Sequence, residues 1–206
     1  MIANIVFDIG MVLADFCWYS YMTDKLGFSE ERARLFGEKI VLTEFWHQLD
    51  LGVKPEAEVF AEMKEQVPEF AEEAEAFFSN LEFIVRNYDY SRDWIVSLKE
   101  RGYKVYLLSN YPRGTFTLHH EKVFDFVDVA DGRVISGFEK LTKPDRRIYE
   151  LLCNRYGLKP EECVFLDDQQ VNIDAARAYG MKGVVFRSYE QAKEELEEIL
   201  KDGNAC

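Results

Sequence analysis

Basic residues are in short supply: 25 Lys and Arg stand against 38 Asp and Glu, a formal net charge of −13. A chain this acidic has no broad electrostatic means of holding a phosphate backbone, so nucleic acid is not an expected partner. Small anionic substrates stay open, because a metal or a few local cations outweigh the global field at short range. Cysteine is scarce as well. The four residues Cys17, Cys153, Cys163 and Cys206 are scattered and show no CxxC spacing. That pattern gives no zinc site and no disulfide framework, and free thiols in a reducing cytoplasm are the expectation. No apolar run approaches the length of a bilayer span, so no membrane partner is expected. The opening Met1-Ile2-Ala3-Asn4 lacks a basic segment leading into an apolar run, and no signal peptide is expected. Internal repeats and low-complexity segments are missing too.

What is present is enough for a core. Hydrophobic residues make up 48% of 206, which suits one compact domain or a core carrying a modest insertion. Asn4 to Asp8 reads as a buried strand that ends at an acid and a turn at Gly10. From about Asp15 to Phe83 the pattern changes to successive helices: Cys17 to Leu26, Glu30 to Ile40, Thr43 to Leu51, Pro55 to Gln66 and Glu69 to Ser79. Ser29 is placed to cap the second, Pro55 fits a first helical position, and no strand is expected in this stretch. Beyond it strands and helices alternate. Lys104 to Leu108, Cys163 to Leu166 and Gly183 to Phe186 read as strands. Asp93 to Glu100, Phe116 to Val123, Arg146 to Tyr156, Val171 to Tyr179 and Gln191 to Lys201 read as helices. The expected fold is α/β: a Rossmann-like parallel sheet with helices on both faces, plus a small helical cap inserted after the first strand. The domains are then 1–14 with 84–206 for the core and 15–83 for the cap.

Asp8, Ser109-Asn110 and Asp167-Asp168 each fall just past the end of an expected strand. In open parallel sheets that edge is where ligands bind. Helix capping or turn formation explains any one of them, and three together less easily. A carboxylate at Asp8 can attack phosphorus, provided cations offset its repulsion from a phosphate dianion. A magnesium ion held by Asp8 and Asp168 supplies that charge, Lys143 adds to it, and the Ser109 hydroxyl can bond phosphoryl oxygens.

The four segments Phe7-Asp8-Ile9-Gly10-Met11-Val12-Leu13, Leu107-Leu108-Ser109-Asn110, Lys143-Pro144 and Phe165-Leu166-Asp167-Asp168 through Ala176 resemble, in order and spacing, motifs I to IV of the haloacid dehalogenase superfamily. The insertion resembles the family's small C1-type cap. Motif I and Ser109-Asn110-Tyr111-Pro112-Arg113 resemble bacterial members of the glucose 1-phosphate phosphatase type. The resemblance implies Asp8 as nucleophile, Ser109 and Lys143 as phosphate-binding catalytic groups, and Asp8, Asp168 and the Gly10 carbonyl as magnesium ligands. Asp167 is then a supporting acid behind the metal, and Asn172 a helper. The implied substrate is a small phosphorylated metabolite. Read from the residues themselves, Asn110, Arg113, Trp46 and His47 are further candidate substrate contacts, Arg113 set against pairing with a surface acid and the two cap residues against plain helix packing.

Gly10 stands where most phosphatases of the superfamily carry a second Asp, the general acid and base. His47, in the cap, is of the residue type that titrates near neutrality, and it can replace that acid if it faces the site. Otherwise it is an ordinary helix residue. His119 and His120 read as surface positions, and the aromatic run Phe16, Trp18, Tyr19, Tyr21, Phe45 and Trp46 as cap packing, with some rings lining the cleft. A metal-independent 2-haloacid dehalogenase also lacks the second acid; the paired Asp167-Asp168 speaks against it. A non-catalytic phospholigand binder is the third reading, set against intact Asp8, Lys143 and Asp168.

Overall fold

The protein is described by a computed structural model covering residues 1–202. Cys206 lies outside the described residues, and Cys17, Cys153 and Cys163 are free thiols. Five parallel strands form the central sheet: β1 (Asn4–Phe7), β4 (Lys104–Ser109), β5 (Gly132–Ile135), β6 (Cys163–Asp167) and β7 (Lys182–Val185), in the order β5-β4-β1-β6-β7. The expected α/β fold is present. One strand, β5, lies outside the expected set. Its short sequence Gly-Arg-Val-Ile carries little apolar pattern, and Val127–Val129 just before it is a single 3₁₀ turn.

Alternation explains why the sheet is buried on both faces. Ile5, Phe7, Val105, Leu107, Val164 and Leu166 enter one apolar cluster. Val6, Tyr106, Leu108 and Phe165 enter the other. Successive side chains on a strand point to opposite faces, so a near-continuous apolar run is what a doubly covered sheet requires. Full burial of a side chain such as Phe7 contributes about 1.5–3 kcal/mol.

Residues 18–83 are helical, as expected, with local differences. Ser29 caps Glu30–Phe36 by accepting the Arg32 N–H at 3.2 Å. Thr43 caps Glu44–Leu51, accepting the Phe45 N–H at 3.3 Å. Glu56–Gln66 begins one residue after Pro55, and Ala71–Phe78 completes the set. The expectation of no strand near this stretch is corrected at its edges. Here β2 (Ala14–Phe16) pairs antiparallel with β3 (Val85–Asn87). Three-residue strands about seventy positions apart leave no local period to read. The ribbon brackets the helical stretch at the point where chain leaves and rejoins the sheet, and Arg86 meets Asp15 across it at 2.6 Å.

Candidate active site

Strand register sets the site. Phe7 lies level with Leu107 on one side and Leu166 on the other, so Asp8 emerges level with Leu108 and Asp167. Ser109 follows one residue further on. β1 has neighbours on both sides whose connections run in opposite directions, the switch point at which open α/β sheets bind ligands. The rim residues hang on buried apolar strands and have little freedom to move.

Lys143 is the hub. Its side chain is essentially buried, with Nζ 2.8 Å from Asp8 Oδ1 and 2.6 Å from Asp167 Oδ2. Burial opposes its charge, but Asp167 and Asp8 outweigh that and hold the ammonium above the ordinary lysine value. Asn110 fixes the lysine backbone. Its Oδ1 accepts the Lys143 N–H at 2.7 Å, and its Nδ2 donates to the Lys143 carbonyl at 3.0 Å. Asp167, fully buried, also accepts from the Gln169 N–H at 2.8 Å and from Asn172 Nδ2 at 2.9 Å. Both of its oxygens are thereby engaged by protein groups. The half-buried Asp168 takes a bond from Gln169 Nε2 at 2.6 Å.

The carboxylates of Asp8, Asp167 and Asp168 each offer an oxygen within 4.8 Å of the others. Three acids facing one ammonium leave an excess of negative charge in a place water hardly reaches. Asp8 registers this: burial first, then the field of Asp167, push its carboxyl up to about 7 against the pull of Lys143. Burial likewise raises Asp168. An oxygen-ligated divalent cation fits that imbalance and that donor set. Gly10 follows with open space around it and no positive φ.

A cleft of about 160 Å³ opens above the rim, lined on the sheet side by Asp8, Gly10, Ser109, Asn110 and Asp168. Its other walls are Phe16, Trp46, Ile84, Val85, Tyr111 and Asp50. Phe16 and Trp46 pack at 5.2 Å between ring centroids. Two expected contacts are corrected. His47 is exposed and does not line the cleft, because it follows Trp46 by about 100° around the helix. Arg113 is exposed in a separate groove with Lys54, Glu56 and Lys140, its guanidinium 5.2 Å from the Phe138 ring. His119 is not a surface residue either. It is fully buried, Nδ1 2.6 Å from the Tyr111 hydroxyl and Nε2 2.7 Å from the Leu81 carbonyl.

With this geometry in place, the profile of the haloacid dehalogenase-like hydrolases matches residues 22–180. The chain belongs to that family. The matched span contains Ser109, Lys143, Asp167 and Asp168; Asp8 precedes it and is placed by register alone. Curated proteins similar to this chain include the sesquiterpene phosphatase astK of Aspergillus oryzae. It is 26% identical over 87% of this chain and 87% of its own length. Further curated relatives are longer, and the chain spans 11% to 45% of their lengths. Among solved structures, an enzyme of the family from Bacteroides thetaiotaomicron, in complex with magnesium and inorganic phosphate, aligns with a TM-score of 0.71. The identity is 23%, covering 93% of this chain and 98% of that one. An L-2-haloacid dehalogenase from Xanthobacter autotrophicus aligns at 0.68 and 17% identity, covering 96% and 83%. At such identities the likeness shows the fold alone.

Asp50 is the cleft residue that sequence reasoning missed. It lies one helical turn after Trp46, and that i,i+4 spacing was the available signal once Trp46 was placed in the cleft.

Proposed function

We propose that the enzyme is a magnesium-dependent phosphatase that hydrolyses a small phosphomonoester through an aspartyl phosphate on Asp8. The observation that carries this reading is the cluster of three carboxylates, Asp8, Asp167 and Asp168, with a single ammonium, Lys143, paired to two of them. A dehalogenase acting on an anionic haloacid without a metal would face that uncompensated charge. A phosphatase uses it to hold a cation. Asp8, Asp168 and the Gly10 carbonyl would hold the ion, with Asp167 orienting Lys143 and the loop behind it. When bound, magnesium neutralises phosphate charge and lets Asp8 and substrate approach.

In the first step an oxygen of Asp8 attacks phosphorus and the bond to the leaving oxygen breaks. Lys143 and the Ser109 hydroxyl bind the phosphoryl oxygens and meet the charge that develops on them. In the second step water attacks phosphorus, the bond to Asp8 breaks, and inorganic phosphate leaves with the carboxylate restored. Asn110 acts by holding the Lys143 backbone. Residues 15–83 form the cap over a core of 1–14 and 84–206, and Phe16 and Trp46 flank the organic part of the substrate. That arrangement suits a compact metabolite such as a sugar phosphate of the glucose 1-phosphate kind, its carbon face against the rings. The protein then works in the cytoplasm on small phosphorylated metabolites rather than on nucleic acid. Among the described residues no helix is long and apolar enough to cross a membrane.

Phosphate release over a panel of phosphorylated metabolites, with magnesium and with excess EDTA, tests the reading. Release from at least one small monoester that EDTA abolishes is the expected result. Full release in EDTA, or none with any substrate, contradicts it.

A further inference from the structure

The missing acid beside the nucleophile leaves a gap that the cap fills. Asp50 sits in the last turn of the Glu44–Leu51 helix and lines the same cleft as Asp8, Ser109 and Asp168. Its Oδ1 is closed off from solvent and has no hydrogen-bond partner. An unpartnered buried carboxyl oxygen is costly unless the group serves something absent from the protein itself.

The position of Asp50 is also fixed. Ser136 Oγ donates to the Asp50 carbonyl at 2.5 Å and accepts the Tyr111 N–H at 2.8 Å, joining the helix end to the loop that follows β4. Gly52, at φ 63°, closes the helix and lies so near Gly137 that a Cβ would stand 2.4 Å from the Gly137 carbonyl oxygen. No other residue fits that approach, so the helix end is held against the rim.

Building on the phosphatase reading, we infer that Asp50 is the general acid and base of the reaction. In the first step its carboxyl proton passes to the leaving oxygen as the phosphorus–oxygen bond breaks and the bond to Asp8 forms. In the second, the Asp50 carboxylate takes a proton from the attacking water as phosphorus leaves Asp8, and the carboxyl is restored. Its protonation state matches that role, since burial, with a contribution from Asp8 against Lys143, raises Asp50 to about 8. Lys143 and Asp8 are the charged groups whose fields act on Asp50, and others on the packed elements are paired or exposed. Glu139 pairs with Arg155 at 2.7 Å, Glu56 accepts the Gly114 N–H at 2.6 Å, and Glu38 and Lys39 are exposed. Tyr111, beside Asp50 in the cleft, is pushed well above its ordinary value by burial and stays neutral.

The test compares Asp50→Asn and Asp50→Glu with the wild type on alkyl phosphates and on a nitrophenyl phosphate, reading the first turnover and its pH profile. General acid help is worth about 10²–10⁴ in rate where the leaving group is poor. Asp50→Asn is therefore expected to lower alkyl phosphate turnover by about that factor and the nitrophenyl first turnover far less, and to erase the fall in rate on the alkaline side. Asp50→Glu restores part of the alkyl rate. Gly10→Asp, for which the structure leaves room, restores it in the Asp50→Asn background. Equal losses on both substrates, or no loss on either, in a variant that melts like the wild type overturn this role for Asp50. A wild type that releases no phosphate overturns the phosphatase reading and this role with it.

Discussion

On one wall of the cleft, Asp8, Ser109 and Asp167 stand at strand ends whose register ties them to fully buried neighbours. On the other, Trp46 and Asp50 stand one turn apart on a helix. The first wall is polar, charge-crowded and anchored by Lys143. The second is apolar apart from one carboxyl with no partner. In the proposed reaction, phosphoryl chemistry belongs to the first, and choice of substrate and handling of protons to the second. On the proposed reading, a nucleophile strand with no acid of its own is served by the Glu44–Leu51 helix, which lies within the insertion that follows that strand.

The largest effect separating the two walls is expected at Asp8. Asp8→Asn removes the attacking oxygen while keeping shape, and steady-state phosphate release should fall at least about 10³-fold with every substrate. Retained turnover would move the chemistry elsewhere. Lys143→Ala comes next. It leaves Asp8 and Asp167 buried without their cation, and should cost about 3–5 kcal/mol of stability at pH 8, read by urea unfolding without magnesium. A loss below about 1 kcal/mol would mean the triad is not the electrostatic unit described. On the opposite wall, Trp46→Ala should reorder the ranking of metabolites by about 10-fold while changing nitrophenyl phosphate little. An unchanged ranking would take Trp46 out of substrate choice.

The smallest effect joins the walls. The Leu81 carbonyl can only accept, so His119 donates from Nε2 and its Nδ1 accepts from the Tyr111 hydroxyl in the neutral ring. Burial lowers its pKa below the ordinary histidine value of 6.5. The unfolded chain then binds more protons as pH drops. The stability that His119 contributes is present above about pH 6.5 and is lost as pH falls through the folded value. His119→Phe should flatten that part of a stability–pH curve, and an unaltered slope would show that another group carries it.

Much of the first wall was legible in the sequence because strands advertise themselves. Apolar runs ended in Asp8, Ser109 and Asp167-Asp168, and a parallel sheet brings such ends to one edge. The helix wall was legible only as helix. Trp46 and His47 are neighbours in sequence but point about 100° apart, and nothing local says which faces the cleft. That phase comes from Ser136 and Gly137 docking the helix end, residues far along the chain. The same applies to Arg113, whose groove is set by how the 52–56 turn meets the Arg113–Lys122 helix, and to His119, where two adjacent histidines looked like a solvated face. β5 and the β2–β3 ribbon escaped because they are too short to show a period.

The central claim is that Asp8 carries a phosphoryl group rather than an alkyl ester, and the fate of oxygen decides it. Turnover in water enriched in heavy oxygen, followed by mass analysis of released phosphate and of the peptide containing Asp8, separates the two. Attack of water on phosphorus puts the label in phosphate and leaves the Asp8 carboxylate unlabelled, which is the result this account predicts. Label entering the Asp8 carboxylate would mean that water attacks its carbonyl carbon, as in ester hydrolysis, and would contradict it.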